Sequence, residues 1–331
     1  MAINLLFGCA QVETSVRSLA KARGFMQDVL GAGLIEQQLV KEIRTFFPPG
    51  VYDVDHLNCG EGMFQINEPS EKAIFNNQKI IHQIYIEQGG STFTNLNFFV
   101  DDIKHAHEIL ASMGAKTHIE GPSNIANCLG NYGPDNTRAG GGERPFMYLG
   151  ARHLIGLDLE IMEPNFHHFT KQDAQYPCFI QPRPKTDDGN LKLLRVRLVV
   201  NNLEEIYANL VKIFTPGCIS KPYAYREGTQ GRAFRIGFGG IEFEYCQPTT
   251  RDGELARLLD RHGPGALTVE FGARDVDKVV AKAKSAGVSV TAEGDLLGVK
   301  VSTRTQIESR EPLGYDVVLE KRDDRPFVGN G

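Results

Sequence analysis

The chain has 331 residues, 41% hydrophobic and 23% charged, with 36 Lys and Arg against 41 Asp and Glu, for a net charge of −5. That is the length of two ordinary domains, or one large one, and it excludes a disordered, collagenous or disulfide-framework protein. No long basic run is present, which argues against nucleic-acid binding, because neutralising phosphates needs clustered Lys and Arg. The six cysteines (Cys9, Cys59, Cys128, Cys178, Cys218 and Cys246) are scattered with no CxxC pair. Their spacing speaks against a structural zinc site or a redox dithiol and suits a reducing cytoplasm. The opening Leu5-Leu6-Phe7-Gly8-Cys9 lacks a basic lead-in, so no export signal is expected. No stretch approaches the roughly 18 apolar residues of a membrane span.

Four segments share one plan. The first runs as a strand from Gln11 to Val16, then a helix from about Ser18 with the stripe Leu19, Ala22, Phe25-Met26 and Val29, then Gly31. The second is a strand over 94–100, a turn at Asp101-Asp102, and a helix with Ile103, Ala106, Ile109-Leu110 and Met113 before Gly114. The third is a strand over 195–200, Asn201-Asn202, and a helix with Leu203, Ile206, Leu210 and Ile213 before Gly217. The fourth is a strand over 268–273, Asp275, and a helix with Val276, Val279-Val280 and Ala283 before Gly287. In each, a period of two becomes a period near 3.6 at a Ser, Asp or Asn able to cap the helix, and a Gly follows where the helix must turn out. Further strands follow each helix and close on similar phrases at 64–69, 159–164, 243–248 and 318–321.

The segments 16–33 and 100–115 and the closing phrases "LDLEIMEP" and "IEFEYCQP" resemble the vicinal oxygen chelate superfamily, which includes glyoxalase I, methylmalonyl-CoA epimerase, extradiol dioxygenases and antibiotic-resistance proteins. The resemblance implies an α+β fold of four βαβββ units, arranged as two paired-module, cup-shaped glyoxalase-like domains. The implied layout is an N-terminal pair over 1–165, a linker over 166–190, a C-terminal pair over 191–323 and a tail over 324–331. Residues 121–145, rich in Gly, are expected as the longest loop within a unit, either a surface insertion or a lid over the N-terminal cup.

The resemblance also implies where metal ligands stand: one on the opening strand and one on the closing strand of each unit. These positions are Gln11, Gln65, Asn95 and Glu160 in the N-terminal half, and Arg195, Glu244, Thr268 and Glu320 in the C-terminal half. An extradiol dioxygenase would need two His and a Glu at Arg195, Thr268 and Glu320, and two of the three are wrong for iron. Gln11 and Glu160 remain as candidate ligands for one divalent metal, and a metal-free site is equally open. Alternation places Gln11, Glu13 and Ser15 on one side of their strand, Asn95 with Asn97, and Asp158 with Glu160. Arg195 and Arg197 alternate beside Glu242 and Glu244, either as an ion-pair cluster or as an anion site. His56, His82, His118 and His153 are candidates to face the N-terminal cavity, and the aromatic candidates are Phe98, Phe99, Tyr148 and Phe243.

Three functions follow. The first is an isomerase, epimerase or lyase working through an enolate or oxyanion, with Glu160 and Glu13 as catalytic groups. Asn95, Asn97, Gln65, Arg195 and Arg197 would then bind the substrate. The second is a non-catalytic protein that sequesters a small molecule. The third is a ring-cleaving oxygenase with a rearranged metal site. The expected partner in each is a small molecule, with no nucleic acid and no membrane, bound by a monomer or a homodimer.

Overall fold

The computed structural model describes residues 2–3, 5–7, 12–34, 47–60, 62–75, 78–90, 92–117, 129–132, 144–162, 190–214, 219–224, 231–238, 241–292, 295–296, 299–300 and 304–321. Two mixed sheets carry the fold. In the N-terminal sheet the opening strands of the first two units, Val12–Ser15 and Thr92–Val100, lie antiparallel at the centre. Each pairs in parallel with the closing strand of its own unit, Gly62–Pro69 and Asp158–Met162. The C-terminal sheet repeats the pattern. Leu191–Val199 and Gly265–Ala273 are antiparallel at its centre, flanked in parallel by Ile241–Pro248 and Asp316–Lys321. This is the βαβββ arrangement expected from the repeats.

The helix starts follow local chemistry. Ser18, Asp102, Asn202 and Asp275 each accept a hydrogen bond from a backbone N–H three residues on, through the side chain. The predicted stripes are the buried ones: Leu19 and Ala22, then Ile103, Ala106 and Leu110, then Leu203, Ile206, Leu210 and Ile213, then Val279 and Ala283. Each large aliphatic side chain so buried contributes about 1.5–3 kcal/mol. Gly31, Gly114 and Gly287 turn out of their helices with positive φ, as expected; Gly217 lies outside the described residues.

The helix-bearing faces of the two sheets share one core. Phe64 stacks on Phe271 with ring centroids 5.9 Å apart, and Phe93 meets Phe243 at 6.2 Å. Gly60 marks a close approach of the halves. Its φ is +59°, its carbonyl accepts from the Leu193 N–H, and a Cβ there would lie 2.9 Å from that nitrogen. Strand alternation sends the buried polar residues Glu13, Gln65, Arg197 and Glu244 to the other face of each sheet.

Two features depart from the sequence reading. The expected loop over 121–145 contains a strand, Leu129–Tyr132, paired antiparallel with Arg144–Gly150. Four residues of edge strand carry too little apolar pattern to announce themselves. Two helices also join the units of each pair, Ile81–Gly89 and Glu254–His262. The second sets Leu255 against Val199, Ala233, Cys246, Leu267 and Val318, covering part of the C-terminal cup. The linker over 166–189 and the tail over 324–331 lie outside the described residues. Among the described residues, no helix is long and apolar enough to cross a membrane.

Candidate active site

The N-terminal cup is built from the central strands outward. Val12 is turned into the shared core and Thr14 meets the Tyr315 hydroxyl of the other half at 3.2 Å. Alternation therefore sends Glu13 and Ser15 to the cup floor. The helix Ile81–Gly89 crosses above them and brings down His82. Ser15 Oγ and His82 Nδ1 share a hydrogen bond at 3.0 Å, and His82 Nε2 stands 3.5 Å from Glu13 Oε2. The Tyr148 hydroxyl donates to Glu13 Oε1 at 3.1 Å. A carboxylate, an imidazole, a phenol and a serine hydroxyl thus form one connected array. It is closed in this structure: Glu13 and Ser15 are fully buried and His82 is 3% exposed.

An amide row runs beside the array. His56 Nε2 meets Gln65 Oε1 at 2.8 Å, Gln65 Nε2 donates to Asn67 Oδ1 at 2.9 Å, and the Tyr52 hydroxyl donates to the same oxygen at 2.6 Å. The Tyr52 ring stacks on His82 at 5.8 Å. On the other side, Thr94 Oγ1 donates to Asn95 Oδ1 at 2.6 Å. Glu160 is buried and pairs in register with both Tyr148 and Asn97. Of the predicted residues, Glu13, Gln65, Asn95 and Glu160 are thus brought to one polar face. The Asn97 side chain and all of Gln11 lie outside the described residues.

Asp158 serves a different purpose. Its Oδ1 accepts the Ala151 and Arg152 N–H groups at 2.9 and 3.0 Å, and its Oδ2 accepts the Tyr85 hydroxyl at 2.7 Å. Burial, with the Asp158 charge beside it, pushes the Tyr85 hydroxyl well above its usual range, so it stays a neutral donor. Asp316 holds the equivalent turn in the last unit through Ser309 N and Arg310 Nε.

The C-terminal cup has the same geometry and the opposite chemistry. Arg195 Nε donates to Glu242 at 2.8 Å and its Nη1 to Glu270 at 3.0 Å. Arg197, 1% exposed, donates to Glu244 at 2.6 Å and pairs closely with Glu270. Arg235 donates to Glu244 at 3.1 Å, Tyr223 donates to the same oxygen at 2.7 Å, and Arg304 pairs with Glu320. Burial opposes the charge on Glu244, but Arg197, Arg195 and Arg235 outweigh it and hold its carboxyl well below the usual carboxylate range. Burial likewise opposes the charge on Glu270, and Arg197, Arg195 and Arg304 overcome it. The guanidiniums of Arg195 and Arg197, candidates for substrate binding, are directed at these carboxylates.

This donor set does not fit a divalent metal. Arg195 is a fixed cation at one implied ligand position, Thr268 is neutral, and Glu320 is held by Arg304. The positions are also spread along the strands: Thr268 pairs with Asp316 but Glu320 pairs with Gly272, four residues away and so about 13 Å. Among the described residues, no group of three or more His, Cys, Asp or Glu converges as a metal site in either cup.

Sequence reasoning missed Arg235, Arg304, Tyr223, Tyr52 and Asn67 as members of these arrays. Asn67 is two residues from Gln65 on the same strand, so alternation alone reaches it. The others sit on flanking strands with weak patterning. Of the candidate histidines, His56 and His82 face the cup, His153 is exposed on the short helix Arg152–Ile155, and His118 lies outside the described residues. Of the aromatics, Tyr148 faces the cup and Phe243 belongs to the core. The side chains of Phe98 and Phe99 are outside the described set.

Comparison with solved structures places this architecture. A mutant of 4-hydroxymandelate synthase from Streptomyces coelicolor matches 96% of this chain and 94% of its own, with a TM-score of 0.63 and 16% identity. A xylose isomerase-like TIM barrel/4-hydroxyphenylpyruvate dioxygenase fusion protein matches 98% of this chain with a TM-score of 0.58 and 15% identity; the match spans 50% of that longer protein. A mutant of homoprotocatechuate 2,3-dioxygenase from Brevibacterium fuscum matches 97% of this chain and 73% of its own, at 0.52 and 13%. No family model and no curated protein sequence matches the chain. The chain therefore shares its fold with these solved structures, with four βαβββ units in one chain. At these identities the likeness speaks for the fold alone.

Proposed function

We propose that the chain acts on a small molecule in its N-terminal cup, by moving a proton next to a carbonyl or hydroxyl-bearing carbon, as an isomerase, epimerase or lyase does. The observation that carries this reading is the company each buried carboxylate keeps. Glu13 faces imidazole and phenol, and imidazole exchanges protons near neutral pH. The carboxylates of the other cup face guanidinium, which does not give up its proton. In this scheme Glu13 Oε2 takes the proton from carbon and His82 Nε2 receives or returns it. Ser15 fixes the imidazole through Nδ1 and Tyr148 fixes the carboxylate through Oε1. Gln65 and Asn95 present amide groups to the developing oxyanion, and Glu160 is the second acid.

Glu13 and Ser15 are fully buried, so a substrate reaches the array only when the packing over it opens. Binding without turnover is the second reading, and the closure of the array favours it. A ring-cleaving oxygenase shares the fold of the neighbours, but the donor set of the C-terminal cup speaks against it. Gln11 with Glu160 is the remaining pair to test for a metal.

The test is deuterium exchange in heavy water, followed by NMR over a panel of 2-oxo acids, 3-oxo acids and hydroxyketones. Exchange at the carbon beside the carbonyl that depends on Glu13, falling by about 10²-fold or more in Glu13→Gln, supports the reading. Exchange that survives in Glu13→Gln sinks it.

A further inference from the structure

A cleft of about 910 Å³ lies where the two halves meet, outside both polar arrays. Its described lining carries Arg17, Lys21, Arg152, Arg261 and Arg310 against one carboxylate, Glu311. The chain as a whole carries −5. Positive charge is therefore gathered in a concave place on an acidic protein, where field lines focus. The volume is that of an organic ligand, since small-molecule sites run to about 300–1,000 Å³.

Lys21 and Arg310 have carboxylate partners, whereas Arg152 is held on neutral acceptors and Arg261 is exposed. Arg152 opens a short helix and is held on neutral acceptors, Gln88 Oε1 at 3.3 Å and the Pro264 carbonyl at 3.2 Å, with its guanidinium 4.9 Å over the Tyr85 ring. Those contacts fix the fork without cancelling its charge. Arg261 is exposed at the end of the helix Glu254–His262. Lys21 pairs with Glu311 at 2.6 Å, but both side chains are more than three-fifths exposed, so the pair is screened and easily exchanged for another anion. Arg310 is anchored on Asp316 and the Leu267 carbonyl and forms a wall. Gly90, with φ +83°, lies where a Cβ would come 3.4 Å from the Arg17 guanidinium, so the missing side chain leaves that head room.

We propose that this cleft binds a small organic molecule carrying two or more negative charges, of phosphate or carboxylate type, on Arg152, Arg261 and Lys21. Planar guanidinium forks suit either oxyanion, and several cations at one place favour a multiply charged ligand over chloride. The site is separate from the N-terminal cup, and it stands or falls independently of the proton-transfer reading.

The experiment is calorimetric titration of the full chain with pyrophosphate and with citrate, at ionic strength held constant with sodium chloride. Saturable binding of one equivalent is expected, weakening as salt rises. Binding should be roughly tenfold or more weaker in Arg152→Gln and in Arg261→Gln. Pyrophosphate alone binding identifies a phosphorylated ligand, and citrate alone a polycarboxylate. Arg261→Gln and Lys21→Gln change exposed side chains, so they decide the matter even where Arg152→Gln disturbs the fold. No saturable binding of either anion, or binding unchanged in the Arg261 and Lys21 variants, overturns the proposal.

Discussion

The two cups of this chain have the same strands in the same order and have been filled in opposite ways. In the C-terminal cup, Arg195, Arg197, Arg235 and Arg304 interlock with Glu242, Glu244, Glu270 and Glu320. Each charge is met by a permanent opposite one. In the N-terminal cup, Glu13 is met by His82 and Tyr148, groups whose protons are exchangeable, and the amides of Gln65 and Asn67 lie beside them with His56, Tyr52 and Glu160. The βαβββ frame supplies positions, and the partners of the buried carboxylates differ between the cups: guanidinium in one, imidazole and phenol in the other.

The largest expected effect of breaking this contrast is in the C-terminal cup. Arg197→Ala leaves Glu244 and Glu270 buried without their shared partner, and should cost about 3–5 kcal/mol in urea unfolding. A loss below 1 kcal/mol would show that the carboxylates simply take up protons and that the lattice is not a tie. Glu13→Gln, which keeps the shape and most hydrogen bonds of the N-terminal array, should cost no more than about 1–2 kcal/mol.

Gly60→Ala comes next. A side chain at φ +59° and in contact with Leu193 and Phe271 should destabilise the chain by about 2 kcal/mol or more, read by thermal unfolding. An unchanged melting temperature would mean that the halves do not meet as described.

Acid sharpens the comparison further. Glu244 and Glu270 titrate below their ordinary value in the folded chain, so the unfolded chain takes up their protons first. Their contribution is complete above the unfolded value of about 4.5 and is lost as pH falls through the lower folded values. Unfolding free energy should therefore decline below about pH 4.5, and by less in Glu244→Gln than in the wild type. Equal slopes in the two would mean that Glu244 contributes nothing to the acid response. The smallest effect is at a helix cap: Asp102→Ala should cost about 1 kcal/mol, whichever cup is altered, and additivity with Arg197→Ala checks that the two sites are independent.

How much of this was open to a reader of the sequence depends on how local each cause is. The caps at Ser18, Asp102, Asn202 and Asp275 and the stripes behind them were legible because a helix start and its buried face are set within a dozen residues. Arg195 and Arg197 beside Glu242 and Glu244 were legible too, because two parallel strands with period-two charges have few ways to pair. The helix Ile81–Gly89 was not. Its N-cap is Ile80, which offers no side-chain acceptor, and Ile81, Ile84, Tyr85 and Ile86 crowd it with apolar residues beyond a single stripe. Glu13, Ser15, His82 and Tyr148 were each legible as candidates, but not their joining, since that helix delivers His82 to Ser15 across 67 residues of chain. Arg304 was hidden for a similar reason, sitting on a four-residue strand after an irregular stretch.

The guanidiniums of the C-terminal cup hold Glu242, Glu244, Glu270 and Glu320 and so keep these carboxylates from a metal. The most direct test is metal content by elemental analysis of the wild type and of Glu320→Ala, after incubation with ferrous iron or zinc and gel filtration. Whatever metal is retained should be the same in both proteins. One equivalent held by the wild type and lost in Glu320→Ala would contradict it, and would return the C-terminal cup to the role of a metal centre.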